Sequence, residues 1–163
     1  MKFTNSLIKG KLLKRYKRFF ADIKVNSKII TAHCPNTGSM QGLLDQGNEV
    51  LVTEHNDPKR KLKFTLEIIK AKKRYVGVNT HRANKIVNHG LENKLISEFK
   101  TIKNIKPEFK FSDDTRFDFL CDSNLIEVKN VTLFRENDVA EFPDAVTSRG
   151  TKHLNMLIKS IKK

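Results

Sequence analysis

Long apolar runs are missing from this 163-residue sequence. A membrane-spanning helix needs about 20 consecutive apolar residues, and no stretch of the chain approaches that length. The N-terminus also lacks the apolar segment of a secretory signal peptide. The sequence therefore predicts a cytoplasmic protein with no membrane partner. With 38% hydrophobic residues, the chain has enough apolar side chains to build the core of one ordinary domain or of two small ones.

Cysteine is scarce and tryptophan is absent. Cys34 and Cys121 are the two cysteines, and they lie far apart with no Cys-x-x-Cys motif and no pair of histidines at ligand spacing. This pattern argues against a disulfide framework and against a zinc site. A chain without Trp that is rich in Lys, Asn and Ile is also typical of an AT-rich genome.

Acidic residues are few relative to basic ones. The chain has 18 Asp and Glu against 32 Lys and Arg, a formal net charge of +14. This excess favours a polyanionic partner, because neutralising phosphates releases counterions and drives binding. Drift towards lysine in an AT-rich genome would be uniform, but residues 1–80 hold 17 basic against 6 acidic residues, and residues 81–163 hold 15 against 12. The uneven distribution indicates a binding surface in the N-terminal half.

Residues 15–25 interleave basic and aromatic side chains, and this pattern predicts a strand. Such a strand can stack bases and follow a phosphate backbone; alternatively, its aromatic side chains face the core. The predicted nucleic-acid-binding residues are Arg15, Tyr16, Lys17 and Arg18. Turn-forming residues separate further predicted strands at 28–32, 49–54, 63–70 and 75–78. Short strands at this spacing predict a small barrel, and a basic five-stranded barrel predicts an OB-fold.

A compact loop of turn-forming residues follows at 33–40, with the sequence HCPNTGSM. In one interpretation Asn36, Thr37 and Ser39 donate hydrogen bonds to phosphates or bases. In the other the segment is a tight connection between strands, in which Asn36 and Thr37 satisfy their own backbone. The local chemistry favours the second interpretation and leaves the first open.

The second half of the chain predicts two amphipathic helices with strands between them. Apolar residues at helical spacing place the first helix within residues 79–104 and the second after residue 144. The predicted apolar positions are Leu91, Leu95, Phe99 and Ile102, and then Leu154, Leu157, Ile158 and Ile161. Arg149, Lys152 and His153 fall in the first turns of the last helix, where its dipole and basic side chains would favour a phosphate. For His153 alone, a surface histidine is the simpler interpretation.

Between the helices, a strand at 105–111 and a turn at 112–115 lead into a predicted hairpin at 117–131. Alternation along the first hairpin strand puts Asp118 and Leu120 on one face. The opposite face carries Phe117, Phe119 and Cys121.

Charged residues on the hairpin suggest a metal site. If the turn has an even number of residues, Asp118 lies opposite Glu127 and Lys129, within about 5–8 Å at Cβ. Two carboxylates suit Mg²⁺ or Mn²⁺, and an adjacent lysine can position the attacking water. This is the arrangement of PD-(D/E)XK nucleases; the alternative is an exposed strand face with a minor ion pair.

Several longer motifs resemble the sugar fermentation stimulation protein A family. They are residues 15–19 (RYKRF), 33–40 (HCPNTGSM), 78–80 (VNT), 116–119 (RFDF), 126–129 (IEVK) and 142–150 (FPDAVTSRG). The resemblance covers nearly the whole chain in the same order. It implies a mixed α+β protein with an OB-fold-like barrel at 1–80 and a PD-(D/E)XK nuclease-like α/β domain at 81–163.

The resemblance also implies function. It implies DNA binding of low sequence specificity and a role in regulating sugar metabolism, notably that of maltose. Asp118, Glu127 and Lys129 would occupy the nuclease-like site, with Glu98 or Glu108 as a further acidic member. Family members continue for tens of residues beyond the last helix, so the nuclease-like domain is expected to lack its C-terminal portion.

Three hypotheses for function follow. The chain is a non-enzymatic DNA-binding regulator that uses the basic barrel, or a metal-dependent nuclease to which the barrel delivers DNA. A weaker alternative is a module that binds single-stranded RNA, because OB-folds accept single strands of either kind.

Overall fold

The computed structural model describes residues 1–134, 140–142 and 148–161. Contacts divide the chain into two compact units. The first comprises Met1–His81 and Asn130–Ala145, and the second comprises Arg82–Lys129 and Val146–Lys163. The fold is mixed α+β, with strands in both units and the two described α-helices in the second. Within the described ranges, no helix is long and apolar enough to cross a membrane.

The first unit is built on a six-stranded sheet that closes on itself. Its strands are β1 (Leu7–Tyr16), β2 (Phe20–Val25), β3 (Lys28–His33), β4 (Glu49–Glu54), β5 (Phe64–Ala71) and β6 (Arg74–Gly77). Their order is β3-β2-β1-β4-β5-β6, and β3 also pairs with β5 in parallel. This last pairing closes β1 to β5 into a barrel with β6 beside β5, so the predicted five-stranded barrel is confirmed.

The long strand β1 joins both sides of the barrel. Its first half pairs with β4 and its second half with β2. A Cβ at Gly10 would lie 2.5 Å from Ile23 Cγ2, so a glycine is needed where β1 approaches β2. Alternating side chains of the five strands point inward and form the core. The buried strand residues include Leu12, Ala21, Ile23, Ala32, Val50, Val52, Leu66 and Ile69.

The prediction of one strand over residues 15–25 is wrong. Tyr16 pairs with Phe20, and the residues between them form the turn of the β1–β2 hairpin. Lys17 and Arg18 have φ angles of 47° and 60° in that turn. Hairpin turns that need positive φ usually contain Gly, Asn or Asp. Because none of these is present, the residue pattern gave no turn signal.

The second unit contains a three-stranded antiparallel sheet and two helices. The strands are β7 (Ile105–Ser112), β8 (Thr115–Cys121) and β9 (Asn124–Ile126), in that order; the helices are α1 (Ala83–Glu92) and α2 (Ser148–Ile161). Along β8, Phe117, Phe119 and Cys121 are buried, and the intervening residues are more exposed. The predicted alternation on this strand is therefore confirmed. A shorter pair, β10 (Leu133–Phe134) and β11 (Ala140–Glu141), belongs to the first unit.

The first predicted helix ends earlier than its apolar spacing suggested. After α1 ends, Lys94 takes a positive φ of 55°. The Lys94 amide donates to Leu91 O, and the Leu95 amide donates to Gly90 O, which together make a Schellman motif. This motif usually has glycine where Lys94 stands. Leu95 is consequently exposed, and Phe99 and Ile102 lie outside α1, so their predicted place on one helix is wrong.

The return strand of the hairpin is also shorter than predicted. β9 ends at Ile126, although the pattern predicted a strand up to Val131. Phe119 pairs with Ile126, so the same register would let Val128 donate to the backbone of Phe117. Instead the Val128 amide donates to Asp118 Oδ2, 2.6 Å away. The ladder therefore ends where a side-chain carboxylate takes the backbone hydrogen bond.

The apolar side predicted for the last helix is not its buried side. Leu154, Ile158 and Ile161 are 61%, 54% and 85% exposed. His153, which the pattern suggested as a surface residue, is 9% exposed and packs edge-on against the Phe117 ring. The prediction for His153 is therefore wrong, because a polar contact rather than apolar spacing determines which side of α2 is buried. Residues 143–147 of the preceding motif lie outside the described residues.

Candidate nucleic-acid interface and carboxylate site

The turn between β1 and β2 carries exposed cations and an exposed aromatic ring. Lys17 and Arg18 are exposed at the tip, and Phe19 is 41% exposed. Thr37 and Ser39 are exposed on the loop that follows β3. The Cys34 amide donates to Phe19 O at 2.7 Å and joins the two segments. We call these exposed side chains, Lys17, Arg18, Phe19, Thr37 and Ser39, the barrel-end surface.

Arg15 connects the two segments of this surface through hydrogen bonds. Its guanidinium donates to Arg18 O through Nε at 3.2 Å and through Nη2 at 3.0 Å. The same Nη2 donates to Asn36 O at 2.7 Å and to Gly38 O at 3.0 Å. A planar guanidinium presents several donors in fixed directions, which suits three backbone carbonyls from two segments. Arg15 was predicted to bind nucleic acid; the structure places it as a brace between the hairpin tip and the loop.

Asn36 and Tyr16 also have partners inside the first unit. Asn36 is buried, and its Oδ1 accepts the Gly38 amide at 2.8 Å, as in the interpretation of this loop as a tight connection. The Tyr16 ring stacks on Phe20 with centroids 5.4 Å apart, and its hydroxyl donates to Asp22 Oδ1 at 3.3 Å. These two predicted binding residues therefore shape the barrel end, and their part in binding stays a prediction.

A buried acidic residue of the barrel gave no signal in the sequence. Glu67 is 2% exposed and accepts Thr53 Oγ1 at Oε1 and Asn79 Nδ2 at Oε2, both at 2.8 Å. Its backbone carbonyl accepts the Val78 amide at 2.9 Å. The pairing of β4 with β5 slips by one residue here, so Glu67 is the extra residue of a β-bulge. The bulge buries the Glu67 side chain, where regular alternation along the strand would not place it. The sequence shows only that alternation, so it does not predict this buried carboxylate.

The first carboxylate of the predicted metal site is Asp118 on β8. Asp118 Oδ1 accepts Asn84 Nδ2 of α1 at 2.6 Å, and Oδ2 accepts the Val128 amide at 2.6 Å. These two charge-assisted hydrogen bonds fix the half-buried carboxylate and tie β8 to α1 and to the segment after β9. Asn84 is a member of this site that sequence reasoning missed, because nothing in α1 marked it.

The second carboxylate, Glu127, has two basic partners. Its Oε1 accepts His153 Nδ1 at 2.5 Å and also pairs with Lys129 Nζ. The Glu127 side chain is 9% exposed and that of His153 is 11% exposed. Glu127 and Lys129 thus lie together as predicted, and His153 joins them from 26 residues further along the chain.

The two additional acidic residues of the predicted metal set have other partners. Glu98 is exposed and accepts Ser97 Oγ at 2.7 Å, and this hydrogen bond lowers the pKa of Glu98. Glu108 is exposed on β7 and lies 4.0 Å from Arg116 Nη1. Among the residues that the structure describes, no three His, Cys, Asp or Glu side chains come together to hold a metal ion. A metal site at this hairpin stays a prediction that involves Asp118 and Glu127.

Lys152 and Arg149 were predicted to bind phosphate at the last helix. Lys152 Nζ donates to Asp114 Oδ2 at 2.8 Å and to Asp114 O at 3.2 Å. With Ser112 and Thr115 as further donors, this contact lowers the pKa of Asp114 to about 2. Lys152 therefore ties α2 to the β7–β8 turn. Arg149 belongs to α2, but its side chain lies outside the described part of the chain.

The closed barrel and the mixed second unit match two family models. Residues 13–78 match the SfsA N-terminal OB domain, and residues 81–163 match the sugar fermentation stimulation protein RE domain. The first unit is thus an OB-type barrel, and the predicted OB-fold is confirmed. Together the two matches agree with the mixed α+β fold of the chain.

The chain belongs to the sugar fermentation stimulation protein family. It is 64% identical to a sugar fermentation stimulation protein homolog of Pelagibacter ubique, covering 100% of this chain and 72% of that protein. A homolog from Alteromonas mediterranea is 46% identical over 94% of this chain and 69% of its own length. A solved structure of Pyrococcus furiosus SfsA in complex with Ca²⁺ has the same fold, with a TM-score of 0.83 at 24% identity, over 98% of this chain and 68% of that one.

Proposed function

We propose that this chain binds DNA with low sequence specificity through the barrel-end surface. The observation that carries the proposal is the joining of two exposed cations, Lys17 and Arg18, with the exposed Phe19 ring on a braced hairpin tip. Cations neutralise phosphates and aromatic rings stack on bases, and neither contact depends strongly on sequence. The name of the relatives, sugar fermentation stimulation protein homolog, is our reason for adding that this binding serves the regulation of sugar metabolism.

The proposal predicts that replacing both tip cations lowers the salt dependence of DNA binding. Each phosphate contact contributes a slope of about 0.9 in log K against log salt for duplex DNA. The double variant Lys17→Ser, Arg18→Ser should therefore lose a slope of about 1.8 and bind more weakly at low salt. The slope and the affinity at low salt can both be measured by fluorescence anisotropy with a labelled duplex. The salt concentration would run from about 50 to about 300 mM, the range over which such slopes develop.

A matched control removes equal charge elsewhere on the barrel. Lys72 and Lys73 are exposed in the turn between β5 and β6, so Lys72→Ser, Lys73→Ser should leave the slope nearly unchanged. An equal loss in the two double variants would show that net charge rather than the barrel-end surface binds DNA. Competition among duplex DNA, single-stranded DNA and single-stranded RNA separates the proposal from the RNA-binding alternative, which requires RNA to compete best.

A second candidate function is metal-dependent DNA cleavage at the hairpin. It rests on two carboxylates of the hairpin. Asn84 and the Val128 amide hold Asp118 in place, and Glu127 pairs with Lys129. Carboxylate oxygens suit Mg²⁺ or Mn²⁺, which bind through one or two carboxylates plus waters, and Ca²⁺ was found with the Pyrococcus furiosus protein. A bound Mg²⁺ would stabilise charge on the scissile phosphate. Asn84 would orient Asp118, and Lys129 would hold the attacking water.

Cleavage of plasmid DNA with Mg²⁺ or Mn²⁺ tests this second function. Asp118→Asn keeps an oxygen acceptor for the Val128 amide but removes the charge, so it should abolish cleavage while the chain stays folded. Glu92→Gln changes an exposed carboxylate at the end of α1 in the same unit and should cut as well as the unchanged protein. Cleavage by Asp118→Asn at the rate of the unchanged protein would indicate a contaminating nuclease. If the unchanged protein is folded and binds DNA but does not cut it, DNA binding is the function that remains.

A further inference from the structure

Three basic side chains from separate segments converge at one end of the barrel. His33 is the last residue of β3, where it pairs with Phe20 of β2 and with Thr65 of β5. Arg60 reaches the same place from the β4–β5 loop, with Nη2 donating to Thr65 Oγ1 at 2.7 Å and Nε to Leu62 O at 3.2 Å. Burial is the main cause that lowers the pKa of His33, and electrostatic interactions with His81 and Arg60 lower it further.

Hydrogen bonds hold the His81 segment against the loop of the barrel-end surface. Thr80 Oγ1 donates to Pro35 O at 2.5 Å, and the His81 amide donates to Asn79 Oδ1 at 3.1 Å. Pro35 immediately follows Cys34, whose amide is bonded to the hairpin tip. The three basic residues are therefore continuous with the barrel-end surface.

The carboxylates on the strands that flank His33 are held by other partners. On β2, Asp22 accepts Thr31 Oγ1 at 2.8 Å and Tyr16 Oη at 3.3 Å, and it lies 3.5 Å from Lys14 Nζ. On β5, Glu67 accepts Thr53 and Asn79. The pKa of His33 is lowered first by burial and then by the electrostatic effects of His81 and Arg60. A cluster of basic side chains of this kind is suited to an anion.

We propose that His33, Arg60 and His81 form a phosphate-binding subsite that takes up protons when the DNA backbone occupies it. The proposal rests on the DNA binding proposed above and adds a ligand, a phosphodiester, and a control by pH. Arg60 supplies a permanent charge, and the His33 imidazole supplies a charge that depends on pH. The hydrogen bonds that Arg60 donates to Thr65 Oγ1 and Leu62 O fix its guanidinium in advance of binding.

The sign of the pH effect follows from the charges. In the free protein the pKa of His33 lies below its ordinary value, because burial and the neighbouring cations favour the neutral ring. A phosphate against the ring favours the imidazolium and raises that pKa, so binding takes up protons between the two pKa values. Affinity for DNA should therefore rise as the pH falls through about 7 to 6, by up to about tenfold per pH unit for each proton taken up.

The decisive experiment measures duplex binding by anisotropy at constant salt from pH 8 to pH 5.5, roughly the range in which histidines titrate. The protein should bind at least about fivefold more tightly at pH 6 than at pH 8, less than the full linkage of one proton allows. The double variant His33→Gln, His81→Gln should lose most of this gain and match the unchanged protein at pH 8. His89→Gln, a change in α1 of the second unit, should keep the full gain. A double variant with the same pH dependence as the unchanged protein would overturn the subsite.

A second readout separates this inference from the proposed function. Inorganic phosphate should raise the pKa of His33, followed by NMR of the imidazole C–H signals, and Arg60→Gln should weaken that effect. If phosphate shifts His33 but duplex DNA does not bind, the subsite stands and the proposed DNA binding fails. If DNA binds and phosphate leaves His33 unchanged, DNA binding stands and the subsite fails. Thermal unfolding by circular dichroism confirms that each variant is folded.

Discussion

Replacing Arg15 with methionine is expected to lower the free energy of unfolding of the barrel by about 2–3 kcal/mol. The change removes four hydrogen bonds from one guanidinium to the carbonyls of Arg18, Asn36 and Gly38. A hydrogen bond to a charged group contributes about 1.5–3 kcal/mol. The bonds to Arg18 O are exposed and those to Asn36 O and Gly38 O are half-buried, so these carbonyls can rehydrate and the sum falls well below the maximum. Hydrogen exchange of the amides of β1 and β2 measures the loss within the first unit without requiring the whole chain to unfold in one step.

The same variant should weaken DNA binding more than its charge accounts for. Arg18→Met is the matched control, because it removes an identical side chain three residues away that is exposed at the hairpin tip. Arg18→Met should cost one phosphate contact and change stability by less than about 0.5 kcal/mol. Arg15→Met should loosen the whole tip and lower affinity further at a temperature where the barrel is folded. Equal stability of the two variants would mean that the brace contributes nothing.

The barrel could be predicted from the sequence because the pattern that indicates its strands is distributed over many residues. Alternating side chains between turn-forming residues marked β4 and β5 to within one residue of each end. Closure of the barrel could be inferred only from strand number, because the parallel contact of His33 with Thr65 joins residues 32 apart in sequence. Pairings of that kind leave no local pattern.

The two local errors share one physical cause. At Lys17 and Arg18, and again at Lys94, lysine or arginine adopts a left-handed backbone that glycine or asparagine normally marks. In the first case a hairpin was predicted as one strand, and in the second a short helix was extended to Ile102. The long basic side chains at these positions remain exposed. The cost of the left-handed backbone is offset by contacts made elsewhere, such as those of Arg15.

The local residue pattern of the hairpin predicts its register but not its contacts with other segments. The two-residue turn at Asp122 and Ser123 has the even number on which the predicted register depended. Alternation could not predict that Asp118 would accept the Val128 amide and end β9, or that His153 would reach Glu127. Both contacts depend on where α2 and the segment after β9 pack, and the tertiary structure determines that packing.

Replacing Glu67 with leucine is expected to cost the barrel about 3 kcal/mol. Leucine fits a similar volume, but it removes the carboxylate that accepts the half-buried Asn79 amide and the Thr53 hydroxyl, which is left with His55 Nε2 at 3.1 Å. Removing one partner of a buried polar contact imposes the full desolvation penalty on the other, whereas removing both partners can be nearly neutral. Glu67 also occupies a bulge whose backbone carbonyl receives the Val78 amide, so a shift of the strand would loosen a second contact.

A double-mutant cycle distinguishes the hydrogen bonds from the packing. Thr53→Val combined with Glu67→Leu removes donor and acceptor together, and the pair should cost less than the sum of the single changes by about 1 kcal/mol or more. Glu54→Gln, at an exposed carboxylate on β4, should change stability by less than about 0.5 kcal/mol. Native-state hydrogen exchange of β4 and β5 amides gives all four free energies. Strict additivity of Thr53→Val and Glu67→Leu would show that the Glu67 carboxylate stabilises the barrel by some route other than Thr53, such as the hydrogen bond that it accepts from the Asn79 side chain.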